Sequence, residues 1–429
     1  MTSLIMFIIF MILMMIRIPV EIAVGLAAVI GVIIEGHSVT VIARTMVGSI
    51  DSFILVAVPF FILAGHLMNH GGITEKIFAF ARAASGHLRG GLAQVNIAAS
   101  MLFAGMSGAA VADLAALGAV EMKAMRENGY SVEVSAAVTL ASCTIGPIIP
   151  PSIVFVVYGL MAQVSIGRLF LAGILPGAVI GLSLAGFVNY YARRHPDRFG
   201  PREPFQFQNF LKTFWNAKFE LLSPVAIIVL LITGVATPTE VGVVAVLYVM
   251  LLGVINRQLT WKGFYDSMMS TLGTTALIMY LIAVSTVLGD IIVQERAGES
   301  LAMLLGNISS NPIVVLLLIN LFLIVVGMIV DMLPALIICS TMLLPLVESI
   351  GIDPVHFGVI ICFNLIIGII TPPMGIGLYI TARVAGISVE RVISAVIPFL
   401  LPLFVSLLVI SALPSLSLWL PDLVFGTAK

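Results

Sequence analysis

Few side chains in this sequence could do chemistry, and the most conspicuous lie in apolar surroundings. Asp331 sits in "VVGMIVDMLPA" (325–335) and Asp113 ends "FAGMSGAAVAD" (103–113). A carboxylate at membrane depth costs about 2.5–3.5 kcal/mol on insertion scales, so its default reading is functional. Asp331 is expected to hold a cation, to accept hydrogen bonds from substrate hydroxyls, or to fix the local backbone. The bland alternative is capping of the helix that follows. Asp113, one turn past the first of these stretches, could equally pair internally. Ser107 supplies a hydroxyl near the apex of that first stretch.

The remaining chemistry belongs to the backbone. "IGPIIPPS" (145–152) places Gly146, Pro147, Pro150 and Pro151 inside an apolar run. Each proline removes a donor and clashes with the preceding turn, so no continuous helix survives there. Carbonyls freed at such a break can replace the water around a sodium ion. Half-helix N-termini present partial positive charge to an anion. Broken backbone is tolerated at that depth only against protein or a wet cavity.

The elements that must position these groups follow from composition. The chain has 429 residues, 60% hydrophobic and 10% charged, with mean hydropathy +1.19. Soluble domains carry about 25% charged residues, so this is an integral membrane protein in contact with the lipid bilayer. Alternating strands of the barrel type are absent. The expected fold is all-α and polytopic. The net charge of −1 gives no reason to expect a nucleic-acid partner. The first apolar run lacks a basic leader and has Arg17 behind it, which argues against a cleavable signal. Cys143, Cys339 and Cys362 show no metal-ligand spacing and read as small buried hydrophobes. The six histidines are likewise unpaired at ligand spacing.

Adding 222 to the first break gives "IGIITPPM" (367–374), a second apolar run interrupted by Pro-Pro. The same offset carries Gly105 and Met106 onto Gly327 and Met328, Gly129 onto Gly351, and Pro176 onto Pro398. Near the start the offset is 219, taking Pro19 and Glu21 onto Pro238 and Glu240. These acids read as helix-start residues. The pattern predicts two copies. Repeat one covers 1–192, with a hairpin at 91–127 and a broken helix at 132–160. A cytoplasmic linker and interfacial arm helix covers 193–218. Repeat two covers 219–429, with a hairpin at 311–350 and a broken helix at 354–382. Each copy has five spans plus a hairpin that returns to its own side. Five is odd, so the copies are expected to be inverted in the membrane. Sixteen of the 20 Lys and Arg residues fall on one side of this scheme, which makes that side cytoplasmic. Hairpin one then enters from the cytoplasm and hairpin two from outside.

Inverted repeats with matched helix breaks point to a secondary transporter. Sodium is expected where a hairpin tip meets a break. In one copy that is near Ser107, Gly108, Gly146 and Pro147, and in the other near Gly327, Val330, Thr371 and Pro372. Importing a monoanion against a negative-inside potential costs about 2.3 kcal/mol per 100 mV, so two or more sodium ions are needed to make the potential a driving force. Substrate is expected against Asp331, Ser152, Met374 and Gly375. Arg296 in "QERAGES" is the candidate for meeting a substrate carboxylate on entry, with a solvated loop charge as the alternative.

Taken together, "GMSGAAVADLAALG", "IGPIIPPS", "GMIVDMLPA" and "TPPMGIGLY" resemble the large membrane subunit of the tripartite ATP-independent periplasmic (TRAP) transporters. The resemblance covers essentially the whole chain and is greatest to the sialic-acid (SiaM-type) members. It implies an elevator-type, sodium-coupled importer in the bacterial inner membrane. A periplasmic binding protein (P type) would deliver a small organic anion, and a small membrane subunit (Q type) would brace this one as a separate chain. Residues near 88–192 and 310–413 would form the moving body. No Walker motif is present, as the family's independence of ATP requires. Competing readings are a C4-dicarboxylate or other carboxylate importer of the same family, a stand-alone sodium–carboxylate symporter of related fold, and a purely scaffolding subunit. A membrane aspartyl protease built on Asp113 and Asp331 is disfavoured. Asp331 aligns with Ala109 rather than with Asp113, and the GxGD context is missing.

Overall fold

The computed structural model describes residues 2–16, 18–107, 110–295 and 311–426, with residues 4, 15, 104–107, 110–113, 115 and 116 described by their backbone alone. Among the described residues there are nineteen α-helices, three short 3-10 turns and no strand. The first five helices are α1 (Thr2–Met15), α2 (Val20–Ile34), α3 (Val39–Ile50), α4 (Ala57–His70) and α5 (Ile73–Ser85). Next come α6 (Leu92–Ser107), α7 (Ala110–Glu127), α8 (Val132–Ser142), α9 (Ile153–Ala162) and α10 (Ile166–Arg194). The middle of the chain forms α11 (Phe207–Ile232), α12 (Pro238–Ile255) and α13 (Trp261–Gln294). The last six are α14 (Pro312–Ile329), α15 (Met332–Ser349), α16 (Pro354–Ile370), α17 (Ile376–Ala385), α18 (Val389–Ala412) and α19 (Ser415–Phe425). Among the described residues, eight helices are long and apolar enough to cross a membrane.

The starts of these helices follow local chemistry. Thr237 accepts from the Glu240 N–H, Glu240 reaches back to the Thr237 N–H, and Pro238 occupies the first turn, a complete capping box. The hairpins turn into the broken helices through Gly129 (φ +84°) and Gly351 (φ +78°), a left-handed conformation that costs glycine little. Two residues later in each copy, Ser131 caps α8 and Asp353 caps α16. The offset of 222 therefore recurs in structure. It relates the starts of α8 and α16.

Two groups of helices pack mainly among themselves. In one, α2, α3 and α4 lie on α13, α4 also on α12, and α5 on α11. In the other, α6 to α10 interleave with α14 to α18. There α9 packs on α15 and α17 on α7, so each half-helix after a break leans on the other copy's hairpin. The groups meet chiefly where α13 touches α15 and α5 touches α6.

The arm differs from the sequence expectation. A surface helix ending at 218 and a separate span from 220 were expected, but α11 runs unbroken through both. Nothing between 213 and 223 breaks a helix, and the charge at Glu220 is absorbed rather than expelled. Glu220 is 1% exposed and accepts from Lys76 Nζ at 2.7 Å and from Asn256 Nδ2 at 3.2 Å. This joins the arm to α5 and to the end of α12. Phe80 of α5 packs at a tilt against Phe210 and Phe214 of α11. Arg82 pairs with Glu203, which holds its guanidinium above the usual range. Two helices not anticipated from sequence are α3 and α19. The second lies along α10, pinned where Arg168 pairs with Asp422 and donates to the Gly426 carbonyl at 2.7 Å.

Candidate functional site

The first break is closed on itself. After α8 the chain makes one 3-10 turn (Cys143–Ile145) and then runs irregularly to α9, with a cis Pro150–Pro151 bond. The helical donor to the Gly146 carbonyl is missing because residue 150 is proline. Ser152 is fully buried. Its hydroxyl donates to the Pro147 carbonyl at 2.5 Å and accepts from the Phe155 N–H at 3.2 Å. That hydroxyl is committed to the backbone and holds the shape of the break. Gly146 and Pro147 are buried as well. The turn before the break packs against both α6 and α7, the two helices of hairpin one.

The second break is half open. After α16 come Thr371, the cis Pro372–Pro373 bond and Met374, and Gly375 starts α17. The Ile369 carbonyl has lost its helical donor because residue 373 is proline. Thr371 Oγ1 donates to the Ile367 carbonyl at 2.6 Å. Thr371 and Pro372 are partly exposed, Gly375 is buried, and Met374 is 56% exposed.

Hairpin two meets this break through bare backbone. A Cβ added at Gly368 would lie 2.5 Å from the Gly327 carbonyl carbon and 2.6 Å from its Cα. One added at Gly327 would lie 2.9 Å from the Leu365 carbonyl oxygen. Only glycine at both positions lets α14 and α16 approach so closely. The structure therefore brings Gly327 beside the end of α16, with Val330 and Asp331 at the tip above it. Asp331 is partly exposed and occupies the N-cap position of α15, yet makes no capping hydrogen bond. Its carboxylate meets the N–H of the next residue, Met332, and feels the charge of Glu21 on α2. That N–H belongs to the first turn of α15, so capping stands beside the ion and substrate roles as a reading of Asp331.

Of the remaining sequence candidates, Gly108 and Arg296 lie outside the described residues, and nothing is described of the Ser107 and Asp113 side chains. No cluster of three or more His, Cys, Asp or Glu able to hold a metal occurs among the described residues. Sequence reasoning missed the buried asparagines at each hairpin–break junction. Asn96 on α6 bonds to Thr139 and Ser142 of α8, and Asn320 on α14 bonds to Asn364 of α16 and Ser411 of α18. Their only sequence signal is an amide in an apolar run, because the two do not correspond under the offset.

The sequence profile of the tripartite ATP-independent periplasmic transporter, DctM component, matches residues 7–416. The chain is 43% identical over 385 residues to the sialic acid TRAP transporter large permease protein SiaM of Vibrio cholerae, covering 90% of each chain. It is 41% identical to the sialic acid TRAP transporter permease protein SiaT of Haemophilus influenzae, covering 88% of this chain and 61% of that one. The fold is similar to the YdaH transporter of Alcanivorax borkumensis, with TM-score 0.61 at 15% identity and 88% of each chain covered.

Proposed function

This chain belongs to the DctM family of tripartite ATP-independent periplasmic transporters, and on that footing we propose that it imports an organic acid, sialic acid first, coupled to two or more sodium ions. It is the large permease component of such a system, a multi-pass protein of the inner membrane and not an enzyme. The observation that carries the coupling is the pairing of each Pro-interrupted helix with a hairpin of its own copy. At Gly327 and Gly368 the two approach through bare backbone. Carbonyls left without helical donors beside such a contact suit a dehydrated monovalent cation.

One ion would lie among Ser107, Gly108, Gly146 and Pro147, and another among Gly327, Val330, Thr371 and Pro372. The substrate would lie against the more open second break, touching Met374, Gly375 and Asp331, with Arg296 met on entry. Ser152 would act through the turn its hydroxyl fixes. The Asp331 carboxylate repels an anion's own charge, so it would serve sodium or the substrate's hydroxyl groups. A periplasmic binding protein and a separate small membrane subunit would complete the system. The two copies would be inverted in the membrane, with the α6–α10 and α14–α18 group moving as an elevator.

The test is uptake into vesicles holding this chain and its small subunit, with a candidate binding protein outside. Sialic acid should accumulate only with an inward sodium gradient and the binding protein present. Uptake without the binding protein would make the chain a stand-alone symporter. Uptake of a C4-dicarboxylate in place of sialic acid would change the substrate but not the coupling.

A further inference from the structure

We propose that Asn96 and Asn320 are positioning residues for sodium coupling, each fixing the height of its hairpin against its broken helix. The inference rests on the sodium-coupled reading above. Both amides are buried in apolar helices, at 0% and 3% exposure. Asn96 Nδ2 donates to Thr139 Oγ1 at 2.7 Å, and Asn96 Oδ1 accepts from Ser142 Oγ at 2.6 Å. One side chain of α6 thus reads two positions of α8, three residues apart. In the second copy, Asn320 Oδ1 accepts from Asn364 Nδ2 at 3.0 Å and Asn320 Nδ2 donates to Ser411 Oγ at 3.0 Å. That network ties α14 to α16 and α18.

The placement is what matters. Ser142 and Asn364 are related by the offset of 222, and each precedes a glycine of its break, Gly146 or Gly368, by four residues. Four residues are about one helical turn, or roughly 6 Å. Each network therefore clamps hairpin to helix one turn from the break. The asparagines do not correspond, since Asn320 aligns with Ala98 and Asn96 with Leu318. The junction recurs although different residues build it.

The physics makes each junction a register device. In a low-dielectric interior a buried hydrogen bond is strong and an unpaired polar group is costly. Sliding either hairpin by a turn would leave its amide without these bonds, while Ser142 and Asn364 would keep only the Thr139 and Ile360 carbonyls of their own helices. Only one height satisfies them, and that height sets how a tip meets its break. Groups that orient ion ligands from behind typically change ion affinity by 10–100-fold when removed.

The experiment uses the full chain with its small subunit and compares Asn96→Leu, Asn320→Leu and Ser142→Ala with wild type. Two readouts are taken: sodium-driven uptake normalised to folded protein, and sodium-dependent stabilisation of the purified complex against heat. Expected is a rise of about 10-fold or more in the sodium concentration for half-maximal effect in both readouts. The substrate half-saturation at saturating sodium should not change. Asn96→Leu combined with Ser142→Ala should do little more than either alone, because both open one junction. Ser142→Ala removes a single hydroxyl and keeps the test alive if the leucine variants fail to accumulate. Sodium curves that superimpose on wild type, with uptake falling only as folded protein falls, would reduce the junctions to ordinary stability and overturn the proposal. A wild-type complex indifferent to sodium would instead overturn the coupling on which the proposal rests.

Discussion

Adding one methyl group at Gly368 should disable transport while sparing most of the fold. The alanine Cβ would stand 2.5 Å from the carbonyl carbon of Gly327, 2.6 Å from its Cα and 3.0 Å from its oxygen, whereas ordinary contact begins at 3.4 Å. All three are helix backbone atoms and cannot rotate away, so the gap between α14 and α16 must open by about 0.9 Å (3.4 less 2.5). Overpacking of this kind costs about 1–3 kcal/mol. A misplacement of about 1 Å in positioned groups costs about 100-fold in rate. The folded yield should therefore fall modestly and sodium-driven uptake by about 100-fold, with the sodium requirement raised. Gly327→Ala should act alike, because its Cβ would meet the Leu365 carbonyl oxygen at 2.9 Å. Gly186→Ala is the control. Nothing lies within 4 Å of a Cβ there, so it should be neutral or stabilising by up to about 1 kcal/mol. Uptake is measured in vesicles and normalised to folded protein. Wild-type uptake and wild-type sodium dependence in Gly368→Ala would refute the idea that this backbone contact shapes an ion site.

Three further outcomes are expected. Asp331→Asn should abolish or severely reduce uptake with the protein still folded and inserted, since the amide keeps the side chain's shape and an oxygen for the Met332 N–H. A shifted sodium dependence assigns it to the ion and a shifted substrate half-saturation to the substrate, whereas wild-type behaviour on both counts removes it from the site. Lys76→Met should lower the melting temperature by stranding the buried Glu220, at a cost of about 1–3 kcal/mol because Asn256 still bonds that carboxylate. Adding Glu220→Gln should restore most of the loss, and an unchanged melting point in Lys76→Met would show that the pair contributes nothing. Arg202→Cys tests the orientation. The three native cysteines are buried and Arg202 is exposed, so labelling should need a membrane-permeant reagent. Ready labelling from outside by an impermeant one would reverse the topology.

What could be read from the sequence was whatever rests on backbone-determining residues. The two Pro-Pro breaks announce themselves because no helix survives them. Gly129 and Gly351 mark matching turns because each takes a positive φ. The close approach at Gly327 and Gly368 was only half legible, because a glycine does not name the glycine it touches. The continuity of α11 was hidden by composition. The sequence changes there from amphipathic to apolar, which looks like a boundary, yet Lys76 reaches from another helix to neutralise Glu220. The asparagine junctions were invisible for a related reason. Their partners lie 43 to 91 residues away, and an offset search rewards identical residues, not equivalent bonds. Ser152 shows what sequence leaves out in the other direction. A serine next to a break reads as a ligand, but its hydroxyl is spent on the Pro147 carbonyl and the Phe155 N–H.

The way the copies interlock bears on how such a body could move. Tyr158 of α9 donates to the Pro354 carbonyl of α16 at 2.6 Å. Arg126 of α7 donates to the Ala385 carbonyl at the end of α17 at 3.3 Å. Arg391 of α18 pairs with Glu133 of α8. With α9 on α15 and α17 on α7, neither break can shift without straining the other copy's hairpin. The buried asparagines add further ties, Asn96 from α6 to α8 and Asn320 from α14 to α16 and α18. The contact with the remaining helices is of another kind. Where α13 meets α15, Gly289 lies against Thr341, and a Cβ added there would come within 3.2 Å of the Thr341 hydroxyl. Ser285, one turn earlier on that face of α13, and Ser340, beside Thr341, are both buried with hydroxyls that make no hydrogen bond. Small side chains offer few ridges to lock one helix into the grooves of another. The contact at Gly289 and Thr341 is thus lined by small and hydroxyl side chains, whereas hydrogen bonds and an ion pair join α7, α8 and α9 to α17, α18 and α16.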